Sequence, residues 1–166
     1  MTLVTEVIQD SLPRALDRHI DLGYDGVDAD NPGVWLSGNP TLLKELIRNL
    51  IDNAINYCPS SEDHPGVVTA RVLADRFSRV AVFQVEDTGP GIVPAERELV
   101  FQPFYRALGS DTDGSGLGLP IVMEIANRHE ATVTVGDAHP GRQPPGACFT
   151  VRFARTLSMD EVRSGT

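Results

Sequence analysis

Apolar residues recur at intervals of three and four from Leu42 to Ala54, through Leu43, Leu46, Ile47, Leu50 and Ile51. That is the spacing of one helical face. Asn39 suits an N-cap and Pro40 the first helical position, so the pattern predicts a helix over 40–57, stopped ahead of Pro59. A second helical stretch covers 5–18, with Pro13 inside it as an interruption or kink. A third, "LGLPIVMEIANRHE" (117–130), is apolar around most of its first turns and reads as a buried helix. Elsewhere the period changes to two. "VVTARVLAD" and "RVAVFQVED" alternate around "RFS" and predict an antiparallel hairpin, and "ATVTVGD" and "CFTVRFAR" predict two more strands. "IDLGYDG" (20–26) and "GVWLSG" (33–38) are short strand candidates, and 94–100 is a short helix beginning at Pro94.

Helices mixed with mostly antiparallel strands define an α+β class, with helices on one face of a sheet. The 166 residues carry no internal repeat and no linker, so one domain is expected. A net charge of −9 without any basic cluster argues against nucleic acid as a partner, although a local site can still hold an anion. No 18-residue apolar run exists, and the N-terminus lacks a basic start and an apolar signal core. Cys58 and Cys148 have no metal spacing and read as buried thiols of a reducing compartment.

Three stretches carry candidate chemistry. Glu45, Asn49, Asp52, Asn53 and Asn56 share one face of the predicted 40–57 helix. A solvent face is the plain reading. Asn is a poor helix former, however, and three within eight residues suggest amides kept for hydrogen bonding or for a hard cation such as Mg²⁺. "EDTGPGI" (86–92) ends a strand on an acid and two glycines. It is either a turn with a surface acid or a carboxylate placed for an exocyclic amine, with Gly89 and Gly91 letting main chain lie against a ring. "GSGLGLP" (114–120) puts three glycines before a helix start near Leu117, a weak phosphate signal. It matches neither the Walker nor the dinucleotide pattern. In "FQPFYRALGS" (101–110), Phe101 and Phe104 read as core residues and Arg106 as a surface arginine that could reach phosphate.

In order and spacing, "LIRNLIDNAINY", "DTGPGI", "FQPFYR" and "GSGLGLPIV" resemble the N, G1, F and G2 boxes of sensor histidine kinases. These boxes mark a catalytic ATP-binding domain of the GHKL superfamily, which also holds type II topoisomerases, a heat-shock chaperone and mismatch-repair ATPases. The resemblance covers about residues 1–155, leaving 156–166 as a polar tail. It implies a two-layer α/β sandwich of the Bergerat type, helices packed on a mixed, mainly antiparallel sheet, with ATP and Mg²⁺ as cofactors. It implies that Asn53 is the metal ligand, that Asn49 faces the phosphates and that Glu45 is a polar helper. Glu45, Asn49 and Arg106 are the implied catalytic residues. Asp87 is implied to accept from the adenine amine, Gly89, Gly91 and Ile92 to line the base, and Tyr57 to pack near it. Residues 104–116 are implied to form a lid, with Tyr105 and Arg106 at the nucleotide. Gly114, Ser115, Gly116, Leu117, Gly118 and Leu119 are implied to meet the phosphates, and Asn56 completes the nucleotide set.

The chain departs from the pattern at Asn56, where the family often has Lys or Arg. It also departs at "RHEATVTV" (128–135), in place of a His-Gly-Gly run, and at Ala147, where Thr is common. His19, His64, His129 and His139 all lack the context of a phosphoacceptor histidine. The chain is therefore expected to be a monomeric, cytoplasmic catalytic domain of an inner-membrane sensor. Its partners would be a dimerisation hairpin bearing the histidine and, through it, a response regulator. Two alternatives remain at this stage: a stand-alone anti-sigma-type serine kinase of the same superfamily, and a degenerate nucleotide sensor.

Overall fold

The computed structural model describes residues 3–26, 38–75, 79–105, 118–154 and 163–164. Its element order is α1 (Leu3–Asp17), β1 (Ile20–Asp25), α2 (Pro40–Tyr57), β2 (Gly66–Asp75) and β3 (Val80–Asp87). Two 3₁₀ turns (Pro94–Glu96 and Leu99–Phe101), α3 (Gly118–Arg128), β4 (Ala131–Asp137) and β5 (Ala147–Phe153) follow. The five strands form one sheet in the order β1-β2-β3-β5-β4. Only β1–β2 is parallel; the other three pairings are antiparallel. The predicted hairpin is β2–β3, in register with Val68 opposite Asp87 and Val72 opposite Phe83.

Strand parity builds the second layer. Ala81, Phe83, Val85 and Asp87 point inward from β3, as do Phe149, Val151 and Phe153 from β5. They meet Leu46, Leu50, Ile51 and Ile55 of α2, with Val7 of α1 and Val122 of α3 on either side. Leu50, Ile51 and Ile55 are fully buried, each worth about 1.5–3 kcal/mol of apolar burial. α2 is the middle helix and touches α1, α3, β2 and β3. Its start follows the expected chemistry: Asn39 Oδ1 accepts from the Thr41 and Leu42 amides, with Pro40 at the first position.

Four expectations need correction. α1 runs through Pro13 without interruption. Buried Val7, Ile8 and Ala15 on both sides of the proline hold the helix together despite the missing amide donor. Residues 94–100 form two single 3₁₀ turns rather than one helix, since Arg97 and Gln102 close three-residue bonds to Pro94 and Leu99. Phe104 is not a core residue: the backbone there is left-handed (φ 65°) and the ring is 72% exposed, whereas Phe101 stacks edge-on against Phe149 at 6.2 Å. Cys148 is only half-buried because it takes the outward parity of β5; Cys58 is buried, and both are free. Apart from Gly38, the 33–38 strand candidate lies outside the described residues.

Candidate nucleotide site

Asp87 sits at the last inward position of β3, 5% exposed. Its Oδ1 accepts from the Gly89 amide at 2.8 Å and the Ala147 amide at 3.2 Å. Among the described residues Oδ2 accepts no hydrogen bond. Burial pushes the carboxyl pKa above its ordinary value, with the two amide bonds pulling the other way. The neighbouring acid has a different fate. Glu86 faces the open side of the sheet and pairs with Arg71, which also binds Asp25 at 2.9 Å.

The backbone around Asp87 is close-packed, and glycines make it so. Gly146 (φ 68°) lies against the Asp87 carbonyl, where a Cβ would overlap it, and its amide donates to the Gly89 carbonyl at 3.0 Å. Gly91 (φ 78°) leaves room for the Gly146 carbonyl, which a Cβ would approach to 2.9 Å. A Cβ on Gly89 would stand 3.1 Å from the Tyr57 carbonyl, so this loop also touches the end of α2. Thr88 ties the loop to β2 by accepting from the Val67 amide at 3.0 Å. Arg97 holds the far end, donating to the Ile92 carbonyl at 3.0 Å and to Asp137 at 3.1 Å. Gly146, Ala147 and Arg97 were missed as site supports. A glycine two residues ahead of the predicted strand "CFTVRFAR" was the one available signal.

The polar stripe of α2 is not a plain solvent face. It forms the ridge between α1 and α3. Asn49 Nδ2 donates to the Glu45 carbonyl at 2.9 Å and to Glu45 Oε1 at 3.3 Å. That leaves Asn49 Oδ1 toward the start of α3, where a Cβ on Gly118 would come within 3.3 Å. Within the described residues α3 runs from Gly118, and Leu117, near which the sequence starts this helix, lies outside them. The Asn53 side chain is half-buried and makes no hydrogen bond among the described residues. Asp52 and Asn56, on the same stripe, both bind Arg14 of α1. Leu119 and Ile92 pack against the core. The Tyr105 hydroxyl donates to Glu96 at 2.7 Å, a bond that raises its pKa. Arg106, Gly114, Ser115, Gly116 and Leu117 lie outside the described residues.

The structure thus brings two groups together on one helix. Tyr57, Asp87, Gly89 and Gly91 gather at the end of α2; Asn49 and Gly118 meet eight residues earlier, about 12 Å along the axis. A flat ring bearing an amine fits the first group, because a buried carboxylate oxygen without a partner favours a donor. Phosphates fit the second, at a helix N-terminus. The unpartnered Asn53 amide between them is a suitable hard oxygen ligand for Mg²⁺. Among the described residues no His, Cys, Asp and Glu cluster could hold a metal. A separate groove of about 350 Å³, lined by Leu12, Leu16, His19 and Pro65 among others, shares no residue with this site.

A two-layer sandwich with this site defines a nucleotide-binding domain, and comparison fixes its family. Residues 38–157 match the histidine kinase-, DNA gyrase B- and HSP90-like ATPases, and the chain belongs to that family. It is the ATP-binding catalytic domain of the histidine-kinase type. It is 38% identical over 149 residues, 89% of the chain, to the signal transduction histidine-protein kinase/phosphatase MprB of Mycobacterium avium. The chain spans only 27% of that relative's length. The solved structure of a mycobacterial sensor histidine kinase MprB superposes with a TM-score of 0.76 at 32% identity, over 92% of this chain and 97% of that one. Full-length ShkA in complex with AMPPNP superposes with a TM-score of 0.74 at 26% identity, over 94% of this chain and 30% of that one.

Proposed function

We propose that this chain binds Mg-ATP and donates the γ-phosphoryl group to a histidine on a dimerisation hairpin outside the chain, from which a response regulator is phosphorylated. The domain would occupy 1–155, with 156–166 a polar tail, as the cytoplasmic part of an inner-membrane sensor and a monomer in isolation. Among the described residues no helix is long and apolar enough to cross a membrane. The observation that carries the reading is Asp87, a buried carboxylate with one oxygen satisfied by two amides and the other left for a donor. That oxygen accepts from the adenine amine, while Gly89, Gly91, Ile92 and Tyr57 surround the base. Asn49, Gly118 and Leu119 meet the phosphates, with Gly114, Ser115, Gly116, Leu117 and Asn56 completing the set. Asn53 holds Mg²⁺, which neutralises phosphate charge when bound. Glu45 orients Asn49 through the hydrogen bond between them, and Tyr105 and Arg106 close over the nucleotide.

Such a domain performs little covalent chemistry. Its contribution is to orient the phosphoryl group and to stabilise charge as the group leaves. The names of the relatives favour histidine over serine as the acceptor. The test supplies the purified hairpin of the mycobacterial MprB relative in trans, with γ-labelled ATP. The expected result is acid-labile, base-stable label on the hairpin histidine, lost with Asn53→Ala. Label on serine, or ATP bound with no transfer, contradicts the reading.

A further inference from the structure

A nucleoside triphosphate is strongly anionic, and it must be held by a chain of net charge −9. The α2 face assigned to it carries two acids of its own, Glu45 and Asp52. Position 56, one turn from Asn53, holds a neutral amide. A cation is needed, and none of the described side chains on that face supplies one.

Two arginines reach the face from its α1 side. Arg48 is engaged by two carboxylates, Asp10 at 3.8 Å and Glu45 at 3.9 Å. Arg14 is not matched in this way. It stands in the last turn of α1, crosses to α2, pairs with Asp52 at 3.2 Å through Nη1 and donates through Nη2 to Asn56 Oδ1. One carboxylate and one amide leave its charge less compensated than that of Arg48. Its side chain is 44% exposed, so an anion can approach it. Asn56 thus directs a guanidinium from a neighbouring helix to the place where a cationic side chain on α2 would itself stand.

We propose that Arg14, held over α2 by Asp52 and Asn56, is a phosphate-recognition residue that supplies by transfer the charge which position 56 lacks. The inference rests on the nucleotide reading above. A guanidinium suits the task because its fork can keep the Asp52 and Asn56 contacts on one edge and offer remaining N–H donors to phosphate oxygens.

The test compares wild type, Arg14→Gln and the Arg14→Gln/Asn56→Lys double variant by calorimetric titration with Mg-ATP at low and high salt, with thermal melting of each protein. Arg14→Gln should bind Mg-ATP about tenfold more weakly at low salt, and the gap should narrow at high salt as a charge contact is screened. Asn56→Lys should restore the affinity in the Arg14→Gln background, because it returns a cation to the same place. A purely structural role for Arg14 would lower the melting temperature and leave the salt dependence unchanged. Affinity within about threefold of wild type at low salt, or no rescue by the lysine, overturns the proposal. Wild type that binds no nucleotide overturns the nucleotide reading, and this inference with it.

Discussion

Glu86 and Asp87 are adjacent acids with opposite roles, and strand parity separates them. Glu86 points to the open face, where Arg71 neutralises it; Asp87 points into the core and, among the described residues, pairs with no cation. Burial therefore costs the fold something at Asp87. Its carboxyl pKa is raised, so the stability it allows is fully present below the ordinary value near 3.8 and is lost as pH rises through the folded value. Asp87→Asn removes that penalty while keeping an oxygen for the Gly89 and Ala147 amides. Its melting temperature should match wild type near pH 3.5 and exceed it by a growing margin toward neutrality, as melting curves across that range would show. The same change sets an amide donor against the adenine amine. Losing a hydrogen bond to a charged group costs about 1.5–3 kcal/mol, a fall of roughly 10- to 150-fold in affinity. A variant that is more stable yet binds worse distinguishes a binding acid from a structural one. The alternation of "VAVFQVED" made the parity legible in the sequence. The unpartnered oxygen was not, because it depends on Ala147, sixty residues away.

At the scale of elements, α1 and α2 are aligned by a ladder of charges. Glu6–Lys44, Asp10–Arg48 and Arg14–Asp52 lie at 3.4, 3.8 and 3.2 Å, and each pair is 38 residues apart, from 44 − 6, 48 − 10 and 52 − 14. A constant offset means the two helices run in the same direction. These pairs are half-exposed, so they set register more than they stabilise. α1 and α3 end alike: each runs into a strand through one left-handed residue, His19 (φ 56°) or Glu130 (φ 54°). Glu130 occupies the place where the resembling family carries a glycine. Left-handed backbone costs an ordinary residue about 1–2 kcal/mol, partly offset by the extra unfolded-state entropy of glycine, about 0.5–1 kcal/mol. Glu130→Gly should therefore raise the melting temperature by roughly 1–4 °C; a fall would show that the Glu130 side chain stabilises this turn. His129, which the sequence left without a role, joins two elements: its Nδ1 bonds the Ile125 carbonyl and its Nε2 accepts from the Asn39 amide, fastening the start of α2 to the end of α3. The long helices and alternating strands were legible because their periods are strong. The course through Pro13, the outward turn at Phe104 and the split 94–100 segment were not, since distant packing decides each one.

For the whole molecule, the sandwich and its site account for an ATP-binding domain that spans about a quarter of a longer relative. The four boxes were legible because their order and spacing are specific even where single motifs are weak. Supports such as Gly146 and Arg97, and the reach of Arg14 across α2, only appear when the sheet is assembled. The division of labour along α2 makes a separable prediction about the metal. Asn53→Ala should abolish most of the Mg²⁺ enhancement of ATP binding while leaving metal-free binding within about twofold. Titrations with and without chelator would read this directly, and enhancement that survives intact would remove Asn53 as the ligand.

The most direct test of the central claim is calorimetric titration of the wild type with Mg-ATP beside Asp87→Asn under identical conditions. The account predicts saturable one-to-one binding by the wild type and a loss of at least about tenfold in the variant, with its fold intact by circular dichroism. Equal affinity in the two proteins would contradict it.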